Sequence, residues 1–339
     1  MKNKHWLRVA MLCAAFVTLA ALLAGTGMAS SSATIKAGLV SDVGRFNDRS
    51  FNQSALEGMK RAASVLGIKY KAVESKSSSD YIPNLESLAR AKYNIIISVG
   101  FLLAGDTHTV AQKYPDRRFA IVDYSVHADP FTGDKNVDGL TFNTNENSYL
   151  IGCLAAYKAK QKGKKIISAV GGLNIPTVSI FIAGYRAGAK KCVKGTKTLI
   201  NFSQTFNDQS KCKELALNQI AAGSQVVFQV AGGCGLGALS AAKSKGKWGI
   251  GVDKDQSNLG SFILTSAVKR VDQSVFLTVK AVKEGKFRGG RDLVFNLKNK
   301  GVALGKLSPK CKCATFIKKR INPLKALIIK GKIRPPKKL

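Results

Sequence analysis

The chain has 339 residues, 45% of them apolar, which suffices for two lobes of ordinary domain size and excludes a disordered polypeptide. It carries 54 Lys and Arg against 20 Asp and Glu, a formal net charge of +34. That excess predicts attraction to polyanions such as nucleic acid, anionic lipid or cell-wall polymer, but cations spread along a whole chain say more about solubility than about chemistry.

The N-terminus has the form of a secretion signal. Lys2, Lys4 and Arg8 precede an apolar run, Val9–Ala24, of about 16 residues, shorter than the ~20 a membrane span needs. Gly27-Met28-Ala29 offers a cleavage site before Ser30, and a retained anchor helix is the alternative. Leu23-Ala24-Gly25 would belong to a lipoprotein box if position 26 were Cys; it is Thr26, and Cys13 lies inside the apolar core. The expected product is exported to the periplasm or the outer face of the membrane without a lipid. Export permits disulfides, and six Cys remain after the leader. Cys212 opens a helix after one strand and Cys234 follows the next, so neighbouring strands would bring them to one sheet edge. This is the preferred pair, with free thiols as the alternative. Zinc is poorly supported, because there is no C-x-x-C and the only histidines are His5, His108 and His127. No cofactor is expected.

Strand-like runs at Thr34–Val40, Tyr70–Glu74, Asn94–Val99, Phe119–Asp123 and Gly139–Phe142 alternate with helical segments near Asn52–Leu66, Tyr81–Ala91 and Ala104–Lys113. After a longer helix, Asn147–Lys162, strands recur at Lys165–Val170, Thr198–Phe202, Gln225–Val230, Trp248–Val252 and Phe262–Thr265. Helices near Thr177–Lys190, Gln209–Ala222 and Gly235–Ser244 separate them. Continuously apolar strands linked by helices predict parallel sheets covered on both faces, and two such sets predict an α/β protein of two Rossmann-like lobes. The segment 301–339 differs: it carries 12 Lys or Arg and no Asp or Glu. Phe316–Ile329 within it reads as a basic amphipathic helix, either packed on a lobe with its lysines in water or tethering the protein to an anionic envelope surface.

In open α/β sheets ligands bind beyond the carboxyl ends of strands. Those ends carry Asp42 with Phe51 and Asn52, Gly100 with Phe101, Asp123 with Tyr124, Phe206 with Asp208, Gly232-Gly233, Asp253 with Asp255 and Gln256, and Lys269. Carboxylates accept from hydroxyls and base N–H groups, and Phe rings stack on planar bases. The set suits a flat, hydroxylated small molecule better than a bare phosphate. Each member also has an ordinary role: Asp42 as a turn cap, Phe51 as core, Lys269 as one of many surface cations. No nucleotide fingerprint, P-loop or nucleophile elbow occurs.

The segments SDVGRFNDRSFNQSALEG (41–58), VGF (99–101), FAIVDY (119–124), FNTNENSYLIG (142–152), FIAGYRAG (181–188), GVDKDQ (251–256) and SAVKRVDQSVF (266–276) resemble the basic-membrane-protein family of ABC-importer substrate-binding proteins, similar to the bacterial purine nucleoside receptor. The resemblance covers about residues 34 to 300. It implies a type I periplasmic-binding fold with a hinge of three crossovers. The N-terminal lobe would then be 34–143 with about 268–290, and the C-terminal lobe 144–267 with about 291–300, followed by the basic segment 301–339. It also implies that Phe51 and Phe206 stack on a base, that Asp42 and Asp123 contact base edges, and that Gly232, Asp253 and Lys269 hold the ribose. Val43, Arg45, Phe46 and Thr26 depart from the family pattern. The expected function is to bind a nucleoside, of purine type, and deliver it to an ABC permease. Alternatives are a receptor for a sugar or autoinducer, a polyanion-binding regulator, and a nucleoside hydrolase. The leader and the lack of a helix-turn-helix speak against specific nucleic-acid binding, and the sparse acidic residues of the first loop against the hydrolase.

Overall fold

A computed structural model describes residues 34–131 and 133–339. The expected leader, 1–29, with Cys13 and Thr26, lies outside the described residues. The first set of elements is β1 (Lys36–Ser41), α1 (Phe51–Leu66), β2 (Lys69–Val73), α2 (Tyr81–Arg90), β3 (Ile95–Val99), α3 (Ala104–Lys113), β4 (Arg118–Val122) and β5 (Val137–Phe142). These strands pair in parallel. Every residue of β3, IIISV, is buried because helices cover both faces of the sheet, as parallel crossovers require.

Helix α4 (Thr144–Lys160) carries the chain to a second sheet built from β6 (Ile166–Gly171), α5 (Pro176–Cys192), β7 (Lys197–Phe202), α6 (Gln209–Ala221), β8 (Val226–Val230), α7 (Gly235–Ser244), β9 (Trp248–Asp253) and β10 (Ile263–Lys269). The chain then returns through α8 (Val271–Lys283), which packs on α1, to β11 (Arg291–Phe295) in the first sheet. It crosses a last time to β12 (Val302–Leu304), antiparallel to β10. The strand orders are β11-β5-β4-β3-β1-β2 and β12-β10-β9-β8-β6-β7, so three crossings connect the sheets.

Two expectations are corrected. Residues 291–300 were assigned to the C-terminal lobe, but β11 runs in register with β5 from Arg291 opposite Asp138 to Phe295 opposite Phe142. It covers an edge of the first sheet, and its sequence, RDLVF, reads equally well as an edge strand of either. β12, inside the basic segment, covers an edge of the second sheet. Helix α8 has no counterpart among the expected helices, although Val271, Val275, Val279 and Val282 recur at helical spacing and are buried.

Helices α4 and α5 lie against each other so closely that a Cβ on Gly152 or Gly188 would overlap the carbonyl oxygen of Tyr185 or Tyr149. A disulfide between Cys153 and Cys192 ties the same pair, and a second, Cys212–Cys234, joins the start of α6 to the residue preceding α7. The C-terminal segment is folded: Ala314–Phe316, a π-helical turn Ile317–Ile321 and α9 (Asn322–Ile329) follow a Cys311–Cys313 bridge. Among the described residues no helix is long and apolar enough to cross a membrane. Gly188→Ala forces α4 and α5 apart, an overpacking cost of about 1–3 kcal/mol. The thermal unfolding midpoint is expected to fall by at least about 2 °C; an unchanged midpoint would show that the helices have room to spare.

Candidate functional site

The carboxyl ends of both sheets face one cavity. It is lined by Asp42, Phe51, Asn52, Gly100, Phe101, Asp123, Phe206, Gly232, Gly233, Asp253 and Lys269, whereas Tyr124, Asp208, Asp255 and Gln256, also expected at strand ends, do not line it: Asp208 caps α6 by accepting from Ser210 N and Lys211 N, and Gln256 is bonded to Gln229 and Arg49. Asp42 follows β1. Its Oδ1 accepts from Gly44 N (2.9 Å) and Asn52 Nδ2 (3.1 Å), a turn cap that also orients Asn52. Its Oδ2 lies against Gly100, which has φ +125° and whose missing Cβ leaves that oxygen its space. Asn52 Oδ1 is buried in the cavity wall without a hydrogen-bond partner, an acceptor awaiting a donor. Asp48 caps α1 by accepting from the backbone N–H groups of Ser50, Asn52 and Gln53.

Asp123, just after β4, and Asp253, the last residue of β9, have φ of +72° and +60°, a conformation that costs energy in a residue bearing a Cβ. It aims both carboxylates at the cleft. Asp123 accepts from Lys269 Nζ, and Asp253 Oδ2 accepts from Ser50 Oγ at 2.6 Å. Lys269 is 3% exposed. Its ammonium lies 4.6 Å from the ring centroid of Phe51, 5.0 Å from Phe142 and 5.8 Å from Phe181. Further bonds cross between the sheets' loops: Asn207 Nδ2 donates to Val43 O (3.2 Å), Gln256 Nε2 to Arg49 O (3.2 Å), and Lys254 pairs with Glu57. The cleft is therefore closed. Lys269 is the only cation lining it among the described residues, against the carboxylates of Asp42, Asp48, Asp123 and Asp253. No three His, Cys, Asp or Glu side chains among those residues are placed to hold a metal.

Residues 35–337 match the family model described as ABC transporter substrate-binding protein PnrA-like. The chain belongs to this family. It is 37% identical to the ABC transporter nucleoside-binding protein BmpA of Lactococcus lactis subsp. cremoris, over 98% of this chain and 99% of that one. It is 33% identical to an uncharacterised lipoprotein of Pyrococcus horikoshii, over 84% of this chain and 72% of that protein. A solute-binding protein of an ABC transporter system from Aeropyrum pernix superposes with a TM-score of 0.79 at 27% identity, covering 89% of this chain and 94% of that one. The fold is thus the two-lobed, mostly parallel α/β fold of periplasmic binding proteins.

Five further lining residues carry no mark of a site in the sequence. Ile175, Val178 and Phe181, from the start of α5, and Val230 and Val252, from strand ends, form the apolar part of the wall. Phe181 lies within the FIAGYRAG motif, but an aromatic residue inside a helix carries no signal of its own that separates a cavity wall from a core. Val43, the departure from the family pattern, is not a lining residue; its side chain packs in the core under β1 while its carbonyl takes part in closure.

Burial raises the carboxyl of Asp42 to about 6 against the lowering effect of the Gly44 and Asn52 bonds. It raises Asp253 likewise to about 6, opposed by Lys269 and Ser50. Asp123 is also pushed up by burial, despite Lys269. These groups bind protons more tightly in the folded protein than in the unfolded chain, where the ordinary value is 3.8. The contribution of Asp42 and Asp253 to stability is therefore complete below about pH 4 and is lost as pH rises through about 6. Asn mimics the protonated form. The unfolding midpoint of D42N/D253N, relative to the parent, should accordingly rise by at least about 2 °C between pH 4.5 and pH 7 in the absence of solute. A pH-independent difference would mean that these carboxyls titrate normally.

Proposed function

We propose that the protein is the exported solute receptor of an ABC importer, that it closes around a nucleoside, of purine type, and that it hands this solute to a membrane permease. The observation that carries the ligand class is the charge and hydrogen-bonding sense of the cavity. Its polar side chains are overwhelmingly acceptors: four carboxylates and the unpartnered Asn52 Oδ1, with one ammonium already committed to Asp123. Such a wall wants a neutral ligand rich in N–H and O–H donors, and it repels a phosphate. Phe51 and Phe206, half-buried and on opposite sides of the cleft, supply faces for a planar base at roughly 1–3 kcal/mol each. The name of the Lactococcus relative, a nucleoside-binding protein, agrees with this reading.

In this reading Phe51 and Phe206 stack on the base, Asp42 and Asn52 take its N–H edge, and Asp253 and Gly232 take the sugar hydroxyls, with Lys269 and Asp123 beside them. Closure excludes water and strengthens each polar contact. The family of ABC transporter substrate-binding proteins supports reading the protein as a binding module, and so do the roles of Asp42 as a cap and Asp123 as an ion-pair partner. Export is supported by the form of the leader and by three disulfides, which persist in oxidising compartments.

Calorimetric titration with adenosine, guanosine, inosine, cytidine, free bases and pentoses tests the reading. A purine nucleoside should bind best, and its 5′-monophosphate at least 100-fold more weakly; heat from a pentose alone would reassign the receptor to sugars. Phe51→Ala, Phe206→Ala and Asp253→Ala should each weaken nucleoside binding more than tenfold, about 1.4 kcal/mol. The unliganded unfolding midpoint of Phe206→Ala should change little; equal destabilisation without ligand would return that ring to the core.

A further inference from the structure

The charge excess is not absorbed by the cleft. About a third of the net charge of +34 sits on residues 301–339, where 12 Lys and Arg are accompanied by no Asp or Glu. In the structure all of these cations are exposed, and among the described residues none enters an ion pair. An ordinary solvated lysine face interleaves acids with its cations; this one does not.

The segment is also held rigid. Ile321, Leu324 and Ile328 are buried, and Phe316 stacks on Tyr157 of α4 with centroids 3.9 Å apart. Lys158 Nζ donates to Cys311 O at 2.9 Å, beside the Cys311–Cys313 bridge, and Asn145 Nδ2 donates to Pro335 O at 2.6 Å. The cations are thus presented by a folded scaffold, with little ordering entropy left to lose on binding. Between them stand apolar side chains that face water: Leu307, Leu327 and Ile329 are 37%, 40% and 38% exposed.

We propose that this C-terminal face is a docking surface for an anionic phospholipid bilayer. The cations neutralise headgroup phosphates, while Leu327 and Ile329, on opposite flanks of the outward face of α9, whose own apolar stripe of Leu324 and Ile328 is buried against the fold, add apolar contact at the edges of the patch. Contacts to nucleic-acid phosphates or wall polymers would use the cations alone; the interleaved apolar residues favour lipid. No residue of the segment lines the solute cavity, although Lys337 lines a neighbouring one beside Asp123 and Lys269, and the proposal is independent of which solute binds.

The test is sedimentation of the full chain with vesicles of phosphatidylglycerol and phosphatidylcholine, compared with phosphatidylcholine alone. Binding is expected to require phosphatidylglycerol and to fall steeply as salt is raised. K318Q/K319Q/K325Q/K330Q should lose at least tenfold in vesicle partitioning with its unfolding midpoint unchanged, and the corresponding Arg substitutions should restore binding. L327S/I329S should weaken vesicle binding while leaving retention on duplex DNA as it was. The proposal is overturned if the Gln variant partitions like the parent, if phosphatidylcholine binds equally well, or if L327S/I329S changes nothing while DNA competes fully.

Discussion

One buried ammonium holds the site together. Lys269 ends β10 of the second sheet, yet its partner Asp123 follows β4 of the first, and the two meet beside a crossing between sheets. Taking both charges out of water is expensive, and a single hydrogen bond does not repay it. The rest comes from the surroundings: the ring of Phe51 from the first lobe, Phe181 from the second and Phe142 at the first crossing face the ammonium, and Asp253 adds a second favourable charge. The arrangement exists only when the lobes are together, so the ion pair and the closed cleft require each other.

That dependence explains the odd backbone at the strand ends. Asp123 and Asp253 occupy matching positions after Val-Asp strand endings and share left-handed backbone, one in each lobe. The strain is sustained because neighbouring strands and the cross-cleft bonds determine where each carboxylate must lie. Gly100 serves the same end from the other side by leaving room for Asp42. The cavity wall is thereby supplied with fixed acceptors, and its preference for donors follows from geometry already settled before any solute enters.

Much of this was legible in the chain. Strands such as IIISV and VVFQV announce a parallel sheet by being apolar throughout, and the residues just after them mark where a ligand can sit. That local logic reached Asp42, Asp123, Gly232 and Asp253, because a strand end is a sequence feature. It reached Phe206 through its polar neighbours. It did not reach Phe181 or Val178, because a helix face that lines a cavity has the same composition as one that lines a core. Lys269 had no distinguishing mark among 54 basic residues; only the family motif around it drew attention.

The alternation of elements, the two-lobed plan and the chemistry at strand ends were therefore determined by sequence alone, since periodicity and local turn chemistry act over a few residues. The tertiary structure decided the rest. It placed β11 in the first sheet and β12 in the second, since an edge strand takes its partner from hydrogen bonds to residues far away in the chain. It made Lys269 the pivot of the cleft, since a cation acquires meaning only from what surrounds it. And it turned a lysine-rich C-terminal segment into a rigid face, since the hydrophobic contacts of Ile321, Leu324 and Ile328 are made with another part of the fold.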